Sequence, residues 1–354
     1  MGVAIYNHVI KCSESTQRYT AWSLNRNRDI RCIESVTRIL VVRFSSIGDI
    51  VLISPVIRAL KTQLEGEVVI DCITKKAFAS IFESSPYVDH VIGIDNNVSE
   101  VKDQLLDNAY DYVIDLHNNL RSKQVKRYAK ALSFTIDKRN VAKWIYVQTK
   151  KERMPIGHVV ARSLETVQAL GVDNDGKGLD FFIPSEVKMP NLPEAFNAGF
   201  ISYVIGGRQP GKLLPVEKAI ELCNRISKPI VLLGGKEDFE RGEQIKANSK
   251  AVIFNACGQF SLMESARCLE QSDKVLTHDT GLMHIATALN KPVYSMWFAT
   301  TPELGFSPWY PHAESKIFES KSGKRPTSKL GNRGASNPEI FNVDLDEIAK
   351  DLNA

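Results

Sequence analysis

The sequence lacks any run approaching the ~18 uninterrupted apolar residues that a membrane-spanning helix needs. Residues 1–35 also lack the apolar core of a secretory signal; Arg26, Arg28, Asp29 and Arg31 interrupt them. Residues 1–37 are therefore expected to be a tail of unknown role. No two cysteines have C-x-x-C spacing: Cys12, Cys32, Cys72, Cys223, Cys257 and Cys268 are scattered. That scatter argues against a disulfide framework or zinc site and for reduced, mostly buried thiols in a cytoplasmic protein. The sequence has no Walker loop, no G-x-G-x-x-G, no H-E-x-x-H and no G-x-S-x-G. Two D-x-D pairs exist, but Asp173/Asp175 follows Gly171 in a turn and Asp344/Asp346 begins the final helix. No metal site is expected from either.

What remains is an ordinary globular composition: 354 residues, 43% hydrophobic and 24% charged, long enough for two cores. The net charge of +4 is unevenly spread. From Arg121 to Arg153 there are eleven Lys or Arg residues against Asp137 and Glu152, a local +9. Such a concentration suits an anionic partner; its alternative is a solvated helix face.

Short apolar runs alternate with helical spacings. Arg38–Phe44 reads as a buried strand, followed by a Ser45–Asp49 loop and a helical stretch through Leu64. Pro55 after Ser54 fits either a first turn capped by serine or a kink in a helix begun near Asp49. Val68–Thr74, Val88–Ile94 and Tyr112–Leu116 are further strands, with a short helix at Ala77–Glu83. Pro184, Pro190 and Pro193 mark a linker. A second alternating series starts at Phe200 and ends with Pro292–Trp297 as its last strand; residues 318–338 read as a mobile loop. The fold class is α/β: two doubly wound halves facing across a cleft. Their boundaries fall at 38–184, 185–199 for the linker, 200–340, and 341–354 for a closing helix.

Three loops carry the candidate chemistry. Ser45-Ser46-Ile47-Gly48-Asp49 exposes backbone N–H groups at a helix start, with Asp49 as either helix cap or general base. His278-Asp279-Thr280-Gly281 runs into a helix bearing His284, which is either a packed core histidine or a ligand contact; this helix start favours a diphosphate. Gly206–Pro215 supplies glycines with Arg208 and Lys212, of which Lys212 is the better phosphate contact and Arg208 the better solvated residue.

RILVVRFSSIGDIVLISPVIRALK and LTHDTGLMHIATALNKPVYSMWFATTPELGFSPW resemble the two long signatures of the ADP-heptose:lipopolysaccharide heptosyltransferases, glycosyltransferase family nine. DLHNNLRS at Asp115–Ser122, GKLLP and LLGGKEDFE fall in the same order. The resemblance covers about residues 38–310 and implies two Rossmann-like domains of GT-B type, inversion at the anomeric carbon and no obligatory metal or cofactor. It implies Asp49 as general base and Lys212 on the leaving diphosphate. Asp279, Thr280, Gly281 and His284 would hold heptose and phosphates, Glu237 the ribose, and Phe260 the adenine. Ser46, Gly48, His117, Arg121, Lys123, Lys126 and Lys130 would meet an anionic acceptor, the last three with Arg127 as one helical stripe. The implied partners are a nucleotide-sugar donor, a lipopolysaccharide core or lipid A-linked acceptor and the anionic inner-membrane surface, with no nucleic acid. Transfer of another nucleotide sugar, and non-catalytic binding of a sugar nucleotide or anionic glycan, are the rival readings. The sequence departs from the family where G-P-T-S-P-E becomes Phe298–Glu303, where His278 precedes Asp279, and where bulky Phe306, Trp309 and Tyr310 are expected to narrow the cleft.

Overall fold

The structure is a computed structural model that describes residues 22–24, 30–32, 36–333 and 335–354. Most of the 1–37 tail, Cys12 included, thus lies outside the described residues, except that β1 (Trp22–Leu24) pairs antiparallel with β2 (Ile30–Cys32).

The first half is built from β3 (Thr37–Val42), α1 (Ile47–Val51), α2 (Ser54–Gln63), β4 (Val68–Lys75), α3 (Ala79–Glu83), β5 (His90–Ile94), α4 (Lys102–Asp107), β6 (Tyr112–Asp115), α5 (Leu120–Ala129), β7 (Leu132–Thr135), α6 (Asn140–Thr149) and α7 (Val159–Glu165). Its five strands are all parallel, in the order β5-β4-β3-β6-β7. Alternation splits β3 between two cores: Ile39 and Val41 pack with α1 and α2, while Leu40, Val42 and Phe44 pack with Leu105, Val113 and Val125 on the opposite face.

The second half comprises β8 (Ile201–Val204), α8 (Val216–Cys223), β9 (Ile230–Leu233), α9 (Phe239–Asn248), β10 (Ile253–Asn255), α10 (Leu262–Gln271), β11 (Lys274–His278), α11 (Gly281–Ala288), β12 (Val293–Trp297), β13 (Lys316–Glu319) and α12 (Leu345–Asn353). Six parallel strands run β10-β9-β8-β11-β12-β13. α12 buries Leu345, Ile348, Ala349 and Leu352 at helical spacing, and the Asp344 carboxylate accepts from Glu347 N at its start.

The expected elements need four corrections. The helical stretch after Asp49 breaks at Leu52–Ile53, so the kink is realised; Ser54 is no cap, its hydroxyl donating back to Val51 O. Pro55 falls in the first turn of α2, where its missing N–H leaves no bond unmade. Val293–Trp297 is not the last strand. β13 follows it as an edge strand that buries only Phe318, too few apolar residues to signal a strand. The stretch expected to be a mobile loop is anchored at Arg325, whose buried guanidinium donates to the carbonyls of Phe298, Thr300 and Ser320. Finally, the basic segment is not one helix but α5, β7 and α6. The described cysteines, Cys72, Cys223, Cys257 and Cys268, are free and buried.

Candidate active site at the seam between the two sheets

In each sheet the strand order reverses beside the first strand of that half, between β3 and β6 and again between β8 and β11. Loops leaving the carboxyl ends of neighbouring strands diverge at such a point and leave a crevice between them. Asp49 and His117 follow β3 and β6; Lys212 and Asp279 follow β8 and β11. The four lie at the two crevices.

On the first side, Ser46 caps α1 and Asp49 completes a reciprocal box. The Asp49 carboxylate accepts from Ser46 N at 3.1 Å and from Ser46 Oγ at 2.8 Å. Its other oxygen meets Arg43 Nη2 at 2.6 Å. Arg43 is itself held by the carbonyls of Ser45 and Leu116. Burial raises the Asp49 pKa, but Arg43 and the Ser46 hydrogen bonds outweigh it and hold the carboxyl below its ordinary value. Asp49 thus holds the start of α1 and stays an ionised carboxylate at once.

On the second side, Lys212 Nζ lies 2.5 Å from Asp279 Oδ2, which also accepts from Thr300 Oγ1 at 2.8 Å. Thr300 belongs to the stretch that departs from the family pattern, and Ala299 N in the same stretch donates to Gly211 O at 2.9 Å. Thr280 stands at the start of α11 in an extended conformation, yet its hydroxyl makes no cap and has no partner among the described residues. The first N–H groups of α11 are therefore not capped by Thr280, and such a helix start suits an anion. His278 is structural: Leu214 N donates to its Nε2 at 3.0 Å and Nδ1 faces Val204 O at 3.0 Å, while burial pushes its pKa down to about 3.

The two sides touch through glycine. A Cβ on Gly48 would stand 2.7 Å from His284 Cδ2 and 3.1 Å from Gly281 Cα. A Cβ on Gly281 would stand 3.0 Å from Ile47 Cβ. Only without side chains can α1 and α11 come this close. His284 is buried in this contact, its Nδ1 unpartnered. Desolvation drives its pKa down to about 4; Asp279 and Asp49 act against that and Lys212 with it. One neutral imidazole is therefore within electrostatic reach of the Asp49 carboxylate of one half and the Lys212–Asp279 ion pair of the other.

Around Asp49 the interior is cationic. Lys138, Lys143 and Arg162 have no carboxylate partner among the described residues, and two guanidinium nitrogens of buried Arg162 make no hydrogen bond. Burial, then Arg162, lowers the Lys143 pKa to about 7; its ammonium sits 4.7 Å over the Phe306 ring. His117 is also kept neutral, its pKa brought to about 4 by burial and then by Arg43. Its ring meets Phe44 edge-on and its Nδ1 has no partner.

The predicted basic stripe is not one stripe. α5 ends at Ala129, and Lys130 turns left-handed beyond it, so it leaves the helix face. Lys126 points inward, 3.2 Å from fully buried Asp115. Arg121, Lys123 and Arg127 remain exposed on α5. The bulky Phe306, Trp309 and Tyr310 all meet the first half: Phe306 lies under Lys143, Trp309 stacks on His158 with ring centres 4.5 Å apart, and the Tyr310 hydroxyl accepts from Asn174. Glu237 is exposed on the turn after β9, and Phe260 stacks on Phe254 beside it in the same half. Among the described residues no three His, Cys, Asp or Glu side chains cluster as a metal would require. Asp175 is paired with Arg58, and Asp346 with Arg225.

Residues 98–333 match the model of glycosyltransferase family 9 (heptosyltransferase), about two thirds of the chain. The chain belongs to that family. Its family-matched segment begins after the Asp49 loop, but similarity to individual relatives reaches further. The chain is 25% identical over 294 residues to lipopolysaccharide heptosyltransferase 1 of Campylobacter coli, covering 74% of this chain and 84% of that one. It is 24% identical over 152 residues to lipopolysaccharide heptosyltransferase 2 of Escherichia coli K12, spanning 41% of this chain and 43% of that protein. Its fold is similar to that of E. coli heptosyltransferase WaaC with ADP, with a TM-score of 0.63 at 21% identity over 84% of this chain and 97% of the other. A family 9 glycosyltransferase from Veillonella parvula gives 0.67 at 18%, over 86% and 97%. This heptosyltransferase-family chain thus has the GT-B architecture. Its sequence reading missed Arg43, Lys138, Lys143, Arg162 and Thr300. Arg43 had a signal, a charge near the end of an apolar central strand; Lys138 and Lys143 lie in the segment whose pattern charge obscures, while Arg162 and Thr300 reach the site through tertiary packing that no local pattern shows.

Proposed function

We propose that this chain transfers heptose from ADP-heptose to an inner-core acceptor of lipopolysaccharide, inverting the anomeric centre without a metal. The observation that carries the reading is the meeting of the two halves at α1 and α11, where Gly48, next to Asp49, abuts His284 and Gly281, two residues beyond the Asp279 that pairs with Lys212. In this reading Asp49 takes the proton of the acceptor hydroxyl while that oxygen bonds to the anomeric carbon. The bond to the diphosphate breaks on the opposite face, and ADP departs with the electron pair. Lys212 and the N–H groups at the start of α11 meet the charge that develops there. A carboxylate of low basicity suffices, because the hydroxyl becomes acidic only as the new bond forms.

The unpaired cations Lys138, Lys143 and Arg162 favour an anionic acceptor, such as one bearing sugar carboxylates or phosphates. Among the described residues no helix is long and apolar enough to cross a membrane. The proposed setting is the cytoplasmic face of the inner membrane, with the acceptor presented from the lipid. The test is ADP or other nucleotide release from a panel of nucleotide sugars, with lipid-free core oligosaccharide as acceptor and with EDTA added. Turnover confined to ADP-heptose and indifferent to EDTA is expected. Turnover with a different nucleotide sugar would move the chain to another donor, and binding without turnover would make it a glycan-binding protein.

A further inference from the structure

Asp279 Oδ2 meets Lys212 Nζ and Thr300 Oγ1, and a third segment rests on both of those residues. A Cβ on Gly331 would stand 2.8 Å from Lys212 Cγ, 3.1 Å from Lys212 Cε and 3.1 Å from Thr300 Cγ2. Gly331 is buried and its φ is +68°, so the position calls for glycine twice, for space and for backbone. The contact runs both ways. A Cβ on Gly211 would stand 2.7 Å from Gly331 O and 3.2 Å from Arg333 O. The Lys212 loop and residues 331–333 thus meet main chain to main chain. A lysine ammonium rides on four rotatable bonds, and an ion pair alone leaves its stem free to change rotamer. Main chain against Cγ and Cε takes that freedom away.

The segment that carries Gly331 is held on every side. Ser328 Oγ donates to Asn332 Oδ1 at 2.7 Å and Asn332 N to Ser328 Oγ at 3.1 Å, which closes residues 328–332 into a turn. Thr327 Oγ1 donates to Arg333 O across its base. Ala299 joins this turn to the Lys212 loop: its carbonyl accepts from Thr327 N and its N–H donates to Gly211 O, both at 2.9 Å. The family pattern has proline where Ala299 stands, and proline has no N–H to donate. Two lysines tie the segment to the first half. Lys150, at the end of α6, donates to Pro326 O, and Lys329 donates to Asn140 Oδ1 at the start of α6, 3.3 Å away.

We propose that residues 326–333 form a strap with Gly331 as a positioning residue, setting Lys212 where the diphosphate leaves. The inference rests on the reading of Lys212 as the diphosphate contact, and the experiment separates the two. ADP and AMP affinities are measured by calorimetry for the parent, Gly331→Ala, Lys212→Ala and the double variant. Turnover of ADP-heptose on lipid-free core oligosaccharide is measured beside them. Gly331→Ala is expected to weaken ADP binding about tenfold, leave AMP within about twofold and slow turnover about 10–100-fold. The double variant should be no worse than Lys212→Ala, because a residue that acts through Lys212 then has nothing to position. Lys150→Met, an exposed change that cuts the tether to the first half, should lower ADP affinity and turnover about threefold. Equal loss of ADP and AMP affinity in Gly331→Ala, or effects of the two substitutions that add in full, would make Gly331 merely structural and overturn the proposal. So would parent-like ADP affinity in Gly331→Ala and Lys150→Met together, or in Lys150→Met alone should Gly331→Ala not fold. If Lys212→Ala itself bound ADP like the parent, the reading of Lys212 would fall and the strap's role with it.

Discussion

Each half of the molecule brings one buried ion pair to the seam, and the two pairs are mirror images in exposure. In Arg43–Asp49 the carboxylate is the open member, 25% exposed against 9% for the guanidinium. In Lys212–Asp279 the ammonium is the open member, 21% against 8% for the carboxylate. The pairs are equally close, 2.6 Å and 2.5 Å. The difference lies in which partner faces the crevice. A carboxylate backed by a guanidinium offers a lone pair and stays ionised; an ammonium backed by a carboxylate offers N–H donors and positive charge. In the proposed reaction the same interaction, turned round, would supply a proton acceptor on one side and an anion holder on the other.

The largest effect should come from breaking the two pairs at their open members. Asp49→Asn keeps the helix cap but removes the proton acceptor, and should slow turnover about 10²–10⁴-fold with ADP affinity unchanged. Lys212→Ala should lower turnover about 10²–10³-fold and also weaken ADP binding, since it removes charge from where the diphosphate leaves. Steady-state kinetics with ADP calorimetry separates the two. If Asp49→Asn turned over normally, Asp49 would be only a cap. If both variants lost ADP affinity equally, the division of labour between the halves would fail.

Much of this comparison was readable in the sequence. Asp49, Lys212 and Asp279 stand in or just beyond the loops that follow apolar runs, and His284 in the helix after one, and a parallel strand announces its carboxyl end by the change from apolar to small and polar residues. The backing partners were less visible, for different reasons. Arg43 is the next-to-last residue of an apolar run, where a lone charge is easily taken for the strand's end. Thr300 meets Asp279 only because β11 and β12 are neighbours, a fact of sheet order rather than of local pattern. The segment from Arg121 to Arg153 misled most. Its charge concealed β7, whose four residues are mostly exposed, and α6, whose buried face includes a lysine. Periodicity reads apolar residues, and a buried Lys143 writes a polar mark on the inward face.

Lys143 sharpens the comparison, because unlike the two pairs it has no carboxylate against it among the described residues. Burial and then Arg162 depress its pKa to about 7, with Asp49 pulling the other way. The unfolded chain holds this proton to a much higher pH, so from about pH 7 upward the folded state gains stability until the unfolded lysine also titrates. Its charge, by contrast, is present below about pH 7 and lost above it. Stability and affinity for an anionic acceptor should therefore move in opposite directions as pH rises through that value. The acceptor KM should rise severalfold while the urea midpoint increases. Lys143→Met should flatten both trends and raise stability most on the acid side. Parallel curves for wild type and variant would mean that Lys143 neither titrates there nor meets the acceptor.

The smallest effects distinguish cations within the first half that have an internal partner from those that do not. Lys126 neutralises Asp115, a carboxylate with no exposure, at 3.2 Å. Asp115 also accepts from His117 N, Asn118 N and Ser122 Oγ, so it organises the loop that carries His117. Lys126→Gln removes the one cationic partner among the described residues and leaves those three hydrogen bonds, which should cost about 1 kcal/mol of stability. Lys130 makes no ion pair in the described structure and sits at φ 53°, a conformation that costs a lysine more than a glycine. Lys130→Gln should thus be silent within about 0.5 kcal/mol, and Lys130→Gly stabilising by a similar amount. Neither change to Lys130 nor Lys126→Gln should move the acceptor KM, since one cation faces Asp115 and the other has left the helix face. Urea unfolding read beside acceptor kinetics decides it. A Lys126→Gln protein of unchanged stability and raised acceptor KM would show that Lys126 leaves Asp115 for the acceptor, and would return it to the anionic-substrate site that the sequence pattern first suggested.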